Sequence, residues 1–520
     1  MADGICSSGQ SQVVDIPGSS RWKEVEQVRP DELFIGGVWC EPTTAPRIDV
    51  IAPHTEEPIA QVAAAGPGDV DAAVAAARTA FDGGPWPRLD PAERIGAVRR
   101  LAAAYGERRS QMAEIITSEI GAPISFAQRA QVALPWTMMT AFCDLAEAYP
   151  FHEERPGRYG AAVHIRREPV GVVAAIVPWN MPQFLIVTKL VPALLAGCVV
   201  ILKPAPESPL NALLLAEMIA ESDLPPGVVS VLPGDGSAGE YLVKHAGVDK
   251  VSFTGSTTAG KAVAAACAPD LKRVSLELGG KSAAIVLDDA DPATVASGVR
   301  SASLSNSGQI CNALTRILVP AARADEFTDA LAAEMAALVV GDPTDSATQV
   351  GPLVAQRQQQ RVRGYIATGC AEGARLVTGG AQMPDGVEKG WYVRPTLFAD
   401  AKNDMRIARE EIFGPVLTVI PFADEQEAVA IANDSDYGLA GSVFTEDLER
   451  GLGVAARIRT GTFGVNQGYT MDPFAPFGGV KGSGYGRELG REGIDGYTDT
   501  KSISVAAKQD PATAAQGKGA

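Results

Sequence analysis

Short apolar runs alternate with helix-like stretches from residue 170 onward. Residues 170–177, 199–202, 228–232 and 250–253 read as strands, and 182–195, 210–222 and 239–245 as the helices between them. The strands at 170–177 and 199–202 are continuously apolar rather than apolar at every second position. That is the pattern of strands buried on both faces, and with helices between them it predicts a parallel, doubly wound sheet. The alternation resumes after Lys281, with strands at 283–286 and 317–319 and helices at 295–304 and 326–338, so a second α/β domain is predicted. Before residue 170 the pattern differs. Short β-rich runs lie between 33 and 64, Asp69 is placed to cap a helix over 70–81, and Ile95, Val98, Leu101 and Ala102 fall at helical spacing between Pro91 and Arg109.

Length agrees with this division, since 520 residues exceed what one hydrophobic core serves. With 46% hydrophobic and 21% charged residues, the chain has the balance of a soluble globular protein. Polar, Gly/Ala-rich stretches at 7–20 and 506–520 read as tails. A net charge of −17 without a Lys/Arg block argues against a nucleic-acid or anionic-membrane partner, which would require clustered positive charge. The first twenty residues lack the basic start and apolar middle of a signal peptide. The most apolar stretch, 170–203, is interrupted by Pro178, Asn180, Pro182, Lys189 and Pro192 and does not read as a membrane span. A cytoplasmic protein is expected. Seven cysteines without a CxxC and four histidines without HExxH spacing suggest neither a disulfide framework nor a metal site.

Four segments carry candidate chemistry. Cys311 ends Gly308-Gln309-Ile310-Cys311, between a predicted helix and a strand, with Ser305, Asn306 and Ser307 just before it. Cys198, within Leu-Leu-Ala-Gly-Cys-Val-Val, has the setting of a structural cysteine, whereas the polar turn around Cys311 is a setting in which a thiolate can be stabilised. Glu277 stands at the end of an apolar strand. Burial would raise its pKa toward that of a general base, a reading that stands level with a buried ion pair to a nearby Lys or Arg. Asn180 follows the strand at 170–177, where ligand sites of open α/β sheets lie, and its amide could donate to an oxyanion; an ordinary turn residue is the alternative. Phe253 to Gly260 runs from strand through glycine and small hydroxyl residues into a helix, a start that favours anions. Gly234-Asp235-Gly236-Ser237-Ala238-Gly239 spells GxGxxG, but it follows a late strand, and no clear ribose-binding acid stands about 20 residues on.

Taken together, these segments closely resemble the aldehyde dehydrogenase superfamily over about residues 33–504. Eight pieces occur in the family's order: Phe34-Ile35-Gly36-Gly37, Pro178-Trp179-Asn180, Lys203-Pro204-Ala205, Phe253-Thr254-Gly255-Ser256, Glu277-Leu278-Gly279-Gly280-Lys281, Gly308-Gln309-Ile310-Cys311, Glu411-Ile412-Phe413-Gly414-Pro415 and Pro476-Phe477-Gly478-Gly479. The resemblance implies two doubly wound, Rossmann-like α/β domains and a small β oligomerisation arm. The cofactor-binding domain would comprise 21–149 and 170–279, the catalytic domain 280–489, and the arm 150–169 with 490–506; residues 1–20 and 507–520 would be flexible tails. A homodimer or homotetramer is implied. So is the reaction, in which an aldehyde becomes a carboxylic acid with NAD(P)+. Cys311 would attack the aldehyde, Asn180 and the Cys311 N–H would hold the oxyanion, and Glu277 would activate the water that hydrolyses the thioester left after hydride transfer. Cofactor contacts are implied at Ile176, Trp179, Lys203, Glu207, Gly236, Gly239, Phe253, Gly255, Ser256, Thr257, Gly260, Leu278, Glu411 and Phe413. Of these, Lys203 would meet the adenosine ribose and Glu411 the nicotinamide ribose.

Two departures from the family pattern matter. The glutamate that NAD-specific members often carry three residues after the lysine is Pro206 here, followed by Glu207. NAD is expected because a carboxylate stays close, with NADP left open. The substrate channel, assigned to Met181, Thr188, Ile310, Asn312, Met471 and Phe477, lacks the aromatic-rich form, which suggests a roomier apolar tunnel for medium-to-long, terpenoid or aromatic aldehydes. The same site could serve a thiol esterase or a semialdehyde-specific dehydrogenase. Retention of Glu277 favours water over CoA as the acyl acceptor.

Overall fold

The computed structural model describes residues 28–158 and 162–505; the tails expected at 1–20 and 507–520 lie outside them. Five parallel strands run side by side in the order Arg273–Leu278, Lys250–Gly255, Val172–Ile176, Val199–Lys203 and Val229–Val231. Antiparallel strands close both edges, Gly484–Tyr485 on one side and Leu33–Ile35 with Val38–Cys40 on the other. Chain order reverses at Val172–Ile176: later strands first add on one side, and Lys250–Gly255 then adds on the other. Such a switch opens a crevice at the carboxyl ends of the strands.

The apolar strands are buried on both faces, as their composition predicts. Val173 and Ala175 join one core with helices Pro182–Ala196 and Leu210–Ala220, while Val172, Ala174 and Ile176 join another with helices Pro67–Asp82 and Gly236–Lys244. Each fully buried Val or Ile contributes about 1.5–3 kcal/mol, so a sheet covered on two sides is strongly specified. A second sheet runs in the order Arg375–Thr378, Thr396–Ala399, Val416–Phe422, Leu314–Pro320, Ser282–Val286, Gly441–Phe444 and Gly464–Val465, antiparallel at its first pair and parallel elsewhere. Thr498–Ser504, Ala162–Pro169 and His152–Pro156 form a separate antiparallel sheet. No helix among the described residues is long and apolar enough to cross a membrane.

Several helices start earlier than expected, and two of them show a local reason. The helix expected at 70–81 spans Pro67–Asp82, because Pro67 occupies its first turn. Asp69 is therefore not its N-cap; from inside the first turn its carboxylate accepts from the N–H groups of Gly66 and Thr43, both at 2.8 Å. The helix expected from Gly239 begins at Gly236, with Asp235 as its cap. The periodicity reading also passed over the region after residue 109. Helices Arg109–Ile120 and Leu134–Glu147 are joined there through a π-helical stretch, Ala127–Ala133, which carries Gln131. Wide turns of this kind occur often at functional sites.

Candidate active site

Asn180 follows strand Val172–Ile176 and is buried. Its backbone carbonyl accepts from Gln131 Nε2 at 2.8 Å and from Asn306 Nδ2 at 2.9 Å, and its own Nδ2 donates to the Gln309 carbonyl at 3.0 Å. An amide nitrogen has two protons, so one remains for a ligand.

The chain reaches Cys311 through a turn of unusual backbone. Asn306, Ser307 and Gly308 have φ of 51°, 56° and 74°. For the two residues with side chains this costs roughly 1–2 kcal/mol each. Bonds on every side hold the turn. Ser307 Oγ donates to the Gly351 carbonyl at 2.8 Å, Gln309 Nε2 donates to the Asn306 carbonyl at 3.2 Å, and Gln309 Oε1 accepts from Val354 N–H at 3.1 Å. A Cβ at position 308 would stand 2.3 Å from the Gly414 carbonyl, so only glycine satisfies both its conformation and its neighbour.

Glu277 is the penultimate residue of strand Arg273–Leu278 and is buried. Beyond it, a Cβ on Gly280 would come within 2.6 Å of the Cys311 carbonyl; bare backbone there lets the strand end pass against the cysteine. The carboxyl oxygens of Glu277 make no aligned hydrogen bond, and the Cys311 thiol faces them. Burial, reinforced by the charge of Glu488, pushes the Glu277 carboxyl up to about 8. Burial and the facing Glu277 hold the Cys311 thiol well above the ordinary thiol range. Both shifts favour the protonated forms, a thiol opposite a carboxylic acid.

The residues assigned to a cofactor line up along the strand ends. Lys203 ends strand Val199–Lys203, register-paired with Ile176, and its Nζ donates to the Pro204 carbonyl at 3.0 Å. Burial lowers its pKa to about 8. Phe253, Gly255, Ser256, Thr257 and Gly260 run from strand Lys250–Gly255 into helix Thr257–Cys267, where Gly260 packs against Leu278. Glu411 Oε1 accepts from Gly280 N–H at 3.0 Å, and the Phe413 ring meets Trp179 edge-on at 5.5 Å. The GxGxxG segment behaves otherwise. The Asp235 carboxylate takes the N–H groups of Ser237 and Ala238 at 2.9 and 3.3 Å, so its helix start is satisfied from within, although Gly239 still packs beside Lys203.

A model of the aldehyde dehydrogenase family matches residues 39–503. The chain belongs to the aldehyde dehydrogenase family. Among curated relatives, geranial dehydrogenase of Castellaniella defragrans is 47% identical over 471 residues, which cover 91% of this chain and 98% of the relative. The 3-succinoylsemialdehyde-pyridine dehydrogenase of Pseudomonas sp is 44% identical, with coverage of 91% and 98%. Among solved structures, a Mycobacterium tuberculosis aldehyde dehydrogenase complexed with NAD+ superposes with a TM-score of 0.90 at 47% identity, covering 92% of this chain and 99% of that one. A mutant of Pseudomonas syringae aldehyde dehydrogenase C, complexed with NAD+ and octanal, gives 0.88 at 44% identity, with coverage of 92% and 97%.

In this aldehyde dehydrogenase Met181 and Met471 pack with Cys311, Trp179 and Tyr469 against the large core, while Ile310 and Asn312 flank the cysteine half-buried. Phe477 is buried and stacks on Tyr469 at 5.9 Å. Thr188, assigned to the channel, is buried, and its hydroxyl donates to Glu488 at 2.9 Å, which helps fix that carboxylate. Sequence reading had singled out neither Glu488 nor Lys189 as functional. Lys189 Nζ pairs with Glu488 and donates to Thr254 Oγ1 at 2.7 Å, and these two opposite charges act on Glu277 from behind. A lysine inside an otherwise apolar helix was the available signal, because a buried charge demands a partner. Glu488, 299 residues away, gave none.

Proposed function

We propose that this aldehyde dehydrogenase oxidises medium-to-long apolar aldehydes to carboxylic acids through a thioester on Cys311, with NAD+ as cofactor. The observation that carries the mechanism is the facing pair Cys311–Glu277 beside the fixed amide of Asn180. Cys311, deprotonated with the help of Glu277, attacks the carbonyl carbon. The second Nδ2 proton of Asn180 and the Cys311 N–H receive the oxyanion. NAD+, when bound, supplies the hydride acceptor that turns the thiohemiacetal into a thioester. Glu277, once it has released the Cys311 proton to solvent, takes a proton from water as that water attacks the thioester. The carboxylic acid leaves as the Cys311 thiolate is expelled.

Residues present in the structure fit the cofactor. Lys203 is buried yet bonded to a single carbonyl, which leaves ammonium protons for a ribose diol, and the N-terminus of helix Thr257–Cys267 suits a pyrophosphate. Glu411, held by Gly280, would take the second ribose. Relatives named for geranial and for an octanal complex support an apolar substrate, and so do Met181 and Met471, which the resemblance assigns to the substrate channel. The division of labour follows from these assignments: 21–149 with 170–279 bind the cofactor, 280–489 carry the nucleophile, and 150–169 with 490–506 form an arm. Strand Thr498–Ser504 presents an open edge with exposed Ile503, and such an edge suits pairing with another copy in a homodimer or homotetramer.

The direct test is reduced-nicotinamide formation across a panel of short polar, long-chain, terpenoid and aromatic aldehydes. Highest kcat/KM for chains of about octanal or geranial size is expected; equal turnover of small polar aldehydes would overturn the substrate assignment. Removal of the oxyanion donor in Asn180→Ala should lower kcat by about 10²–10³. KM should change far less, since the bond forms only as the oxyanion develops, and a KM effect with kcat intact would reassign Asn180 to binding.

A further inference from the structure

A glutamine occupies a core-facing position of the helical stretch that precedes the arm. Ala127, Val132, Met138 and Phe142 of this stretch join the large apolar core, and Gln131 is fully buried in the same stretch. The helix is widened where it carries this residue. Pro135, in the first turn of Leu134–Glu147, has no N–H, and in a regular α-helix its ring would press on the carbonyl four residues earlier, that of Gln131. The preceding turns open instead to the π form over Ala127–Ala133, where Leu134 N–H reaches back five residues to the Arg129 carbonyl. Pro135 thus accounts for the widening.

The buried amide makes a single bond. Gln131 Nε2 donates to the Asn180 carbonyl at 2.8 Å, and Gln131 Oε1 has no protein partner. Asn180 is held at two further points. Its carbonyl also accepts from Asn306 Nδ2 at 2.9 Å, and its Nδ2 donates to the Gln309 carbonyl at 3.0 Å. Asn306 and Gln309 both belong to the turn that leads into Cys311, so those two bonds tie Asn180 to the nucleophile. Gln131 approaches from a different element and fixes the same peptide against the helical layer. With the carbonyl held from two sides and the side chain from a third, the free Nδ2 proton has one direction. A donor to a developing oxyanion gains its effect from such placement, and a shift of about 1 Å can forfeit much of it.

We propose that Gln131, presented by the π-helical turn, is a positioning residue that aims the Asn180 amide at the oxyanion. The inference rests on the reading of Asn180 as the oxyanion donor. Its test is a double-mutant cycle on the full-length enzyme, with kcat, KM for aldehyde and KM for NAD+ measured for Gln131→Met, Asn180→Ala and the two together. Methionine matches glutamine in length and removes one hydrogen bond, while the Asn180 carbonyl keeps Asn306. Tm and both KM values should therefore stay close to those of the unsubstituted enzyme. With Asn180 present, Gln131→Met should lower kcat about tenfold, part of the roughly 10²–10³ that loss of the donor costs. In the Asn180→Ala background the same substitution should change kcat by less than about twofold, because no amide is left to aim. Gln131→Glu should recover most of the loss below neutral pH, since burial keeps its carboxyl protonated and the O–H can donate to the same carbonyl. That variant also carries the comparison should Gln131→Met fail to fold. A residue with a merely structural role would lower Tm and act alike in both backgrounds. An equal fall in both backgrounds, an unchanged kcat in Gln131→Met, or no recovery in Gln131→Glu would overturn the role of Gln131 while leaving Asn180 as the donor. An unchanged kcat in Asn180→Ala would overturn the oxyanion reading and this inference with it.

Discussion

Cys311→Ala should abolish aldehyde-dependent cofactor reduction, lowering kcat by more than about 10⁴, as removal of a covalent nucleophile does. The fold should survive. The turn that positions residue 311 is held by Asn306, Ser307 and Gln309, and none of its bonds uses the thiol. Tm and nucleotide binding should therefore match the unsubstituted enzyme, which separates loss of chemistry from loss of structure. No neighbouring cysteine can stand in. Burial pushes the thiol of Cys143 up to about 12 and that of Cys198 up to about 11. Cys311 is also pushed up, but it faces the carboxyl of Glu277, which can take its proton. Residual turnover above one part in a thousand would mean that the nucleophile lies elsewhere.

Glu277→Gln should divide the reaction in time. Glutamine keeps the shape but cannot accept a proton, so hydrolysis of the thioester should slow by about 10²–10³. Stopped-flow traces should then show one equivalent of reduced cofactor followed by a slow steady state, with the acyl group detectable on Cys311 by intact-mass spectrometry. Loss of the burst along with the steady state would show that Glu277 is needed first to deprotonate Cys311. The pH profile adds a second reading. Because the carboxyl is raised to about 8 by burial and by Glu488, its basic form is scarce at neutral pH and increases as pH rises. Where hydrolysis limits kcat, the rate should climb by about tenfold per pH unit below that value and level off above it. In Glu277→Gln this climb should vanish.

Local sequence carries much of the architecture. Uninterrupted apolar runs at 170–177 and 199–202 can be buried only on two faces, and the structure places their alternate residues in two separate cores. Helix ends were less legible, because Pro67 and Asp235 open helices earlier than apolar periodicity alone indicates. The π-helical widening at Ala127–Ala133, which carries Gln131 to Asn180, leaves no mark in apolar periodicity.

The candidate site divides in the same way. Of its candidate residues, Cys311, Glu277 and Asn180 stand out by their local settings, since reactive groups in apolar or glycine-rich surroundings are visible one segment at a time, whereas Lys203 and Glu411 are reached only through the resemblance to the family. Their partners could not be read. The Lys189–Glu488 pair joins positions 299 residues apart, and Glu207 meets Arg357 across 150. The proximity of Glu277 to Cys311 depends on a glycine backbone at 280 that leaves no room for a Cβ. Sequence by itself determined which groups are present and which strands must be buried, because those follow from local composition and period. Tertiary structure alone decided which charges face one another, and hence whether Glu277 stays protonated and whether Glu207 is free, because burial and electrostatic pairing depend on distance in space rather than along the chain.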